Sequence, residues 1–183
     1  MTDSANETLS VNGSRASRHV IGISEVAVSK GGNEILMTYA LGSCIGVAVY
    51  DPVPKIGGLL HAMLPKSSAD AERAKREPCM FVDSGMQHLF KACYAKGADK
   101  SRMVVYVAGG AKMNAAAEDR FAVGRRNATV ARKLLWKNGV LVRAADVGGT
   151  VARTFGIRMD TGQAFLQIDG KTQFMEGGDL RWR

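Results

Sequence analysis

One cysteine and one histidine of this chain lie in segments where a catalytic pair could form. Cys44 follows a glycine and a serine in TYALGSCIGVAVYDP, at the point where a predicted turn becomes a strand. His61 lies within the apolar strand GGLLHAMLP. A polar group buried there needs a partner, because leaving it unpaired costs roughly 1–3 kcal/mol. We predict that the two strands are neighbours, so that the thiol and the imidazole meet across them.

Such a pair would support nucleophilic attack on a carbonyl or amide carbon. A free thiol has a pKa of about 8.5, and a neighbouring imidazolium can lower it by several units, so we expect a thiolate at Cys44. A third polar group should orient the imidazole, and Thr38, on the strand before Cys44, is the candidate. The alternative is that Cys44 and His61 are two core residues, since cysteine packs well in protein interiors.

The other cysteines and histidines do not suggest a second site. Cys79, His88 and Cys93 lie along one segment, but their spacings are not those of a zinc site, so we expect no metal. His88 is expected on the surface of a helix, and His19 has no obvious partner. The glycine pairs in AGGA and VGGT lack the remainder of a nucleotide-binding loop and predict tight turns near the site or at hairpin corners.

Composition restricts the class of protein. The 183 residues suggest one domain, and no apolar run is long enough to predict a transmembrane helix. Three cysteines, an odd number, argue against a disulfide framework and for a reducing, cytosolic compartment. The polar residues 1–18 predict a disordered leader without the apolar core of a signal peptide.

The chain is basic, with a net charge of +8 and a pI of about 9.6. This charge favours an acidic partner. The basic residues are not interleaved with aromatic ones and no nucleic-acid motif is present, so we expect neither nucleic-acid binding nor membrane insertion. We expect Arg125 and Arg126, in VGRRN, to contribute to docking an acidic protein surface. The alternative is that these arginines only solvate their loop or support the fold.

The pattern of apolar residues and turns predicts an α+β layered domain. Eight segments read as strands: HVIGISEVAVSK, EILMTYA, SCIGVAVYD, GGLLHAMLP, RMVVYVAGG, VLVRAADV, RTFGIRMD and AFLQID. One helix is predicted from about Met80 to Lys96, and a second is predicted to be capped by Asn127 and ended by Gly139. KSSADAERAKREP is expected to be an exposed loop, and AKMNAAAEDRFAVG a loop or a short helix.

Several of these segments together resemble the CheD family of chemoreceptor glutamine deamidases. They are LGSCIGVAVYDP, GGLLHAMLP, VAGGAKM, VGRRN and ADVGGTVAR. The resemblance extends from His19 to about Glu176, so the expected domain is 19–176 with residues 177–183 as a C-terminal tail. It implies an α+β fold of two mixed β-sheets packed face to face with helices outside (α/β/β/α), similar to the toxin deamidases of the cytotoxic necrotizing factor type.

The resemblance also implies an activity and its residues. Cys44 would be the catalytic cysteine, His61 the catalytic histidine and Thr38 the third member of the site, with no cofactor. The substrates would be glutamines of chemotaxis receptors, which become glutamates through a cysteine thioester with release of ammonia. Some family members also act on receptor methyl esters, and some bind a CheC phosphatase that controls them.

Two other functions fit the same residues. A cysteine peptidase would use the same pair in an extended cleft. A non-catalytic docking module that binds a receptor or a CheC phosphatase would keep Cys44 only as a core residue. Thiol modification separates these possibilities, because an enzyme would lose turnover and a module would keep its binding.

Overall fold

The computed structural model describes residues 10–11, 14–112 and 122–182 of the chain. Most of the predicted leader and most of AKMNAAAEDRFAVG lie outside these residues. The strands within them are β1 (Ser10–Val11), β2 (Ser14–Arg15), β3 (Ser17–Val20), β4 (Glu25–Lys30), β5 (Glu34–Leu41), β6 (Ile45–Asp51), β7 (Ile56–Ala62), β8 (Val104–Gly109), β9 (Val142–Val147), β10 (Arg153–Arg158), β11 (Ala164–Ile168), β12 (Lys171–Phe174) and β13 (Leu180–Trp182).

The helices of the described chain are fewer than its strands. They are α1 (Ala71–Arg76), α2 (Val82–Ala95) and α3 (Val123–Lys137), together with three short 3-10 turns over Ser67–Ala69, Pro78–Met80 and Lys100–Arg102. Gly97, with a positive φ of 106°, follows the end of α2, as its position in the sequence predicts.

Two mixed sheets organise the domain. The five-stranded sheet has the order β12-β11-β10-β5-β3, and the six-stranded sheet has the order β13-β9-β8-β6-β7-β4. Strands β3 and β5 pair in parallel, as do β8 with β9 and β9 with β13, and the other pairs in these two sheets are antiparallel. The predicted α+β fold of two mixed sheets is therefore confirmed.

Successive side chains of each central strand point to opposite faces of the sheet and so contribute to two separate cores. In the six-stranded sheet, Val47 and Leu60 face the helices and pack with Leu89 of α2 and Ala131 of α3. Residues of the opposite parity face the five-stranded sheet and form the layer between the sheets, which includes Leu36, Ala48, Leu59, Phe155 and Leu166. The helix packing described here is therefore on the six-stranded sheet, and the outer face of the five-stranded sheet carries a smaller cluster of Ala16, Ile35, Met37 and Phe165.

The predicted first strand is two strands in different sheets. Ser17–Val20 pairs with β5 of the five-stranded sheet, whereas Glu25–Lys30 pairs with β7 of the six-stranded sheet. The turn between them contains Ser24 in a left-handed conformation. The β-branched residues spread over this segment do not reveal the break, because strand propensity does not show which sheet a strand joins.

Residues 66–78 lie at the surface, as predicted, but they contain a helix, so the prediction of a loop is wrong there. Asp70 accepts a hydrogen bond at 2.9 Å from the backbone N–H of Arg73 and caps α1. Glu72 pairs with Lys75, and Arg73 pairs with Glu77, one helical turn apart. Such a capped, charged segment forms a helix without any buried residue, which apolar periodicity cannot detect.

The chain segments at both ends of the predicted domain add strands that the sequence reasoning did not anticipate. Ser17 and Arg18, within the predicted leader, belong to β3 and pair with Glu34 and Ile35. Near the C-terminus, β13 lies in the predicted tail and pairs in parallel with β9. Both strands are at sheet edges, where the sequence need not be apolar.

Gly46 of β6 allows the two sheets to approach each other, and its replacement should destabilise the fold. A Cβ at this position would lie 2.7 Å from both Leu41 and Phe155, which are fully buried. We expect Gly46→Ala to lower the free energy of unfolding by about 1–3 kcal/mol, measured by chemical denaturation. Gly177→Ala is the control, because its Cβ would meet nothing closer than 3.5 Å. Equal losses in the two variants would contradict this explanation.

Candidate active site

The predicted site residues come from both sheets. Thr38 belongs to β5 of the five-stranded sheet, and His61 belongs to β7 of the six-stranded sheet. Their side chains meet in the layer between the sheets, where Thr38 Oγ1 lies 2.7 Å from His61 Nδ1. Both side chains are buried, with relative exposures of 1%. The contact between Thr38 and His61 therefore connects the two sheets through the core.

A third group determines which atoms carry the protons. Thr38 Oγ1 donates a hydrogen bond at 2.7 Å to the backbone carbonyl of Ile21. A hydroxyl has one proton, so Oγ1 must accept the hydrogen bond from His61 Nδ1–H. Ile21 is itself held by a 2.8 Å hydrogen bond from its N–H to the carbonyl of Met37 in β5. This relay selects the tautomer of His61 in which Nε2 is unprotonated.

His61 Nε2 is the free basic nitrogen of this arrangement. It is buried and has no hydrogen-bond partner among the described residues. Burial disfavours the charged imidazolium and lowers the pKa of His61 from 6.5 to about 4. Near neutral pH the side chain is therefore an uncharged imidazole with a lone pair available at Nε2.

Cys44 lies on the connection that carries the chain from one sheet to the other. It follows β5 and immediately precedes β6, which pairs with β7 so that Ile45 is opposite Ala62 and Gly46 is opposite His61. The predicted adjacency of the Cys44 and His61 strands is thus confirmed. Cys44 is only 9% exposed and belongs to the core between the sheets.

The thiolate expected from the sequence is not the favoured form in the folded protein. Burial raises the pKa of the Cys44 thiol, and a hydrogen bond from its own backbone N–H offsets this effect in part. The same burial lowers the pKa of His61. A low-dielectric environment disfavours both charges, so the free protein holds a neutral thiol and a neutral imidazole.

A glycine loop fixes the backbone around Cys44. The N–H of Gly110 donates to the carbonyl of Cys44 at 2.7 Å, and the N–H of Ala111 donates to the carbonyl of Gly42 at 2.8 Å. Gly109, with a φ of +104°, approaches so closely that a Cβ there would lie 2.3 Å from the Cys44 carbonyl oxygen. The AGGA segment therefore contacts the Cys44 backbone, with both of its glycines at positive φ.

Asn127 does not cap α3, so that prediction is wrong. The helix begins at Val123, and Asn127 lies inside it with no exposed surface. Its Nδ2 donates hydrogen bonds of 2.9 Å to the carbonyls of Ser43 and Met63. Asn127 therefore joins the residue before Cys44 to the segment that follows His61. Its spacing of four residues from the inward-facing Ala131 was the available signal, because such residues share a helix face.

A buried ion pair between Arg153 and Asp146 holds the VGGT segment, which contacts the glycine loop. Sequence reasoning did not find this pair. Arg153 Nε donates to Asp146 at 2.8 Å, and its Nη2 donates to the carbonyl of Gly148 at 2.6 Å. The N–H of Gly148 in turn donates to the carbonyl of Gly109 at 2.8 Å. The VGGT segment therefore holds the loop that contacts Cys44.

The remaining cysteines and histidines are separate from this site. Cys79 and Cys93 are buried in the core on the helix side of the six-stranded sheet, and burial raises the pKa of Cys93 to about 12. His88 is exposed on α2, as expected, and His19 lies 3.5 Å from Glu34. Among the described residues, no group of histidine, cysteine and acidic side chains could hold a metal ion.

Comparison with known proteins identifies the family. The family model described as CheD chemotactic sensory transduction matches residues 63–168. A probable chemoreceptor glutamine deamidase CheD 1 of Syntrophus aciditrophicus is 48% identical, over 82% of this chain and 94% of that protein. A probable chemoreceptor glutamine deamidase CheD of Solibacter usitatus is 41% identical, over 83% of this chain and 89% of that protein. Another, of Pyrococcus horikoshii, is also 41% identical, over 80% of this chain and 90% of that protein. The chain belongs to the CheD family.

The neutral state of His61 should make stability depend on pH. In the unfolded chain His61 binds a proton below about pH 6.5, whereas in the folded protein it resists protonation down to about pH 4. Acid therefore favours the unfolded state, and the loss of unfolding free energy from His61 should reach about 3 kcal/mol at pH 4. Chemical denaturation of the wild type and His61→Gln between pH 7 and pH 4 measures this contribution. Parallel stability curves would contradict it.

Proposed function

We propose that this protein deamidates glutamine side chains of chemoreceptors, with Cys44 as the nucleophile and His61 as the general base and acid. Thr38 would orient the imidazole. The observation that carries the proposal is the buried relay of Ile21, Thr38 and His61, which leaves Nε2 unprotonated on the strand that pairs with the Cys44 strand. The relatives from Syntrophus and Solibacter, named as chemoreceptor glutamine deamidases, support the choice of substrate.

The neutral resting state defines the first chemical step. Because the thiol and the imidazole are both uncharged, the Cys44 proton moves to His61 Nε2 as sulfur attacks the side-chain amide carbon of glutamine. A carbon–sulfur bond forms, and the carbonyl electron pair moves to oxygen to give a tetrahedral oxyanion. Backbone N–H groups near Cys44 would stabilise that oxyanion, typically by about 3 kcal/mol per donor.

The second step releases ammonia and the third restores the thiol. The imidazolium of His61 gives its proton to the amide nitrogen, the carbon–nitrogen bond breaks, and a thioester remains on Cys44. A water molecule then attacks the thioester while His61 Nε2 takes its proton. Collapse of this second intermediate breaks the carbon–sulfur bond, releases glutamate and returns the proton to sulfur. The sequence of steps uses no cofactor.

The relay accounts for the reversible protonation of a buried imidazole. While Nε2 carries the transferred proton, the ring is positive and both ring nitrogens are donors. Thr38 Oγ1 already accepts from Nδ1, and its own proton points to the carbonyl of Ile21. The oriented hydroxyl and carbonyl dipoles therefore stabilise the transient charge without any rearrangement of the relay.

The partners and the location form part of the proposal. The substrates would be the cytoplasmic domains of chemoreceptors, and a CheC-type phosphatase is the predicted regulator. A cytoplasmic location fits these substrates and the three free cysteines of the described chain. Among the described helices, none has the length and apolar character needed to cross a membrane.

Loss of the Cys44 thiol should abolish the activity. We expect Cys44→Ala to lower turnover by about 10³-fold or more, because the covalent step is lost. The measurement is mass spectrometry of a chemoreceptor cytoplasmic fragment after incubation, which detects replacement of a glutamine NH₂ by OH. Cys79→Ala and Cys93→Ala are matched controls and should remain active. Activity of Cys44→Ala within a few-fold of the wild type would favour the non-catalytic docking function instead.

Replacement of Thr38 should separate orientation of His61 from simple packing. Thr38→Val keeps the shape of the side chain but removes the acceptor for Nδ1–H, so kcat should fall by a large part of the about 10²–10⁴-fold that acid–base catalysis contributes. Thr38→Ser keeps the hydroxyl and should retain most of the activity. The pH dependence of kcat should change in the valine variant only. Equal activities of the two variants would show that the hydroxyl is not required.

A further inference from the structure

A basic groove lies between α3 and the segment that follows β7. It has a volume of about 280 Å³ and is lined by seven residues: Pro65, Lys66, Arg125, Arg126, Thr129, Val130 and Lys133. Four of these are cations and none is a carboxylate. The four charged side chains are exposed, whereas Pro65 is buried and Val130 is half-buried, so the groove has an apolar floor and a positive rim.

The charges of this groove take part in no ion pair among the described residues. Helix α3 contains Arg125, Arg126, Arg132, Lys133 and Lys137 but no acidic residue. Arg125 and Arg126 are in its first turn, where the helix dipole disfavours positive charge. Among the described residues, neither arginine has an ion-pair partner, and the same is true of Lys66 and Lys133.

The groove is connected to the candidate active site through the chain. Arg126 immediately precedes Asn127, whose amide holds the carbonyls of Ser43 and Met63. Pro65, in the floor of the groove, follows Met63 by two residues and His61 by four. A substrate whose glutamine reaches Cys44 would therefore place its neighbouring residues near this groove.

We infer that the groove docks acidic side chains that flank the target glutamine of a protein substrate. This inference rests on the proposed function. Arginine guanidinium groups bind carboxylates with two parallel hydrogen bonds, which gives geometric selectivity as well as attraction. The arginines at the start of α3, which have no ion-pair partner among the described residues, would gain a counter-charge when such a partner is bound. The positive charge that is unfavourable at the helix N-terminus of the free protein would thus be the charge that attracts the substrate.

An acidic protein segment fits the groove better than a nucleic acid does. Single-stranded nucleic acids are usually held by aromatic side chains on which bases stack, and the residues that line this groove include none. Its floor is formed by Pro65 and Val130, which suit aliphatic side chains of a polypeptide. The chemistry proposed at Cys44 also acts on a protein side chain.

Charge reversal at the two arginines tests the inference. Arg125→Glu/Arg126→Glu is compared with Lys30→Glu/Lys171→Glu, which changes the net charge equally at exposed positions in β4 and β12. Binding to a chemoreceptor cytoplasmic fragment is measured by calorimetry in a Cys44→Ala background, so that it does not depend on turnover. At about 0.1 M salt, we expect the arginine variant to bind at least tenfold more weakly and the lysine variant to bind like the parent.

Salt dependence and stability provide two further measurements. The Debye length falls from about 10 Å at 0.1 M salt to about 3 Å at 1 M, so high salt should weaken the parent and the lysine variant but have little further effect on the arginine variant. The neutral variant Arg125→Gln/Arg126→Gln should unfold at the same or a higher temperature than the wild type. A lower unfolding temperature would indicate that the arginines support the fold, and would overturn the inference.

Other results would also overturn it. Equal affinity of the arginine variant and its parent for the receptor fragment, or an unchanged salt dependence, would exclude this groove as the docking surface. The inference would equally fail if the arginine variant lost binding to a single-stranded oligonucleotide or to phosphatidylglycerol vesicles but kept its affinity for the fragment. Failure of the proposed function has a different signature, because the wild type would then leave the fragment's glutamines unchanged whatever the binding data show.

Discussion

The hydrogen bond between Thr38 and His61 is the interaction on which the candidate site depends. It crosses the layer between two sheets, so it forms only if both sheets are complete and packed in register. On the Thr38 side, the acceptor carbonyl of Ile21 is held in place by the pairing of β3 with β5. The protonation state of His61 is thus a property of the whole sandwich, since each member of the relay belongs to a different strand or its extension.

Backbone hydrogen bonds hold the chain at Cys44, whose side chain packs in the core between the sheets. Its carbonyl is held by Gly110, and Gly109 leaves room for that approach. Two buried polar groups, the Asn127 amide and the Arg153 guanidinium, hold the surrounding loops through carbonyl oxygens. Burying such groups is costly unless they are hydrogen-bonded, and here Asn127 Nδ2 and the Arg153 guanidinium make their hydrogen bonds to these loops.

The candidate site is neutral, whereas helix α3 is positively charged. Burial disfavours a charge on either side chain, so Cys44 and His61 are both neutral in the free protein. Helix α3, by contrast, carries five cationic side chains and no acidic one. A neutral reaction centre beside a positive surface suits a neutral glutamine amide within an acidic protein, which is the substrate that the proposed function and the groove together define.

The sequence by itself determined the secondary-structure types of the apolar segments and the α+β fold class, because these follow from periodicity and local backbone preference. The two sheets packed face to face were implied by the resemblance to the CheD family. Local patterns could not show that Asn127 bridges two loops or that Arg153 and Asp146 pair inside the core, since these contacts join residues far apart in the chain. The tertiary structure also decided the charge of the pair. A sequence shows that a thiol and an imidazole are present, but only their burial and the relay through Thr38 determine that both are neutral and that Nε2 is the free nitrogen.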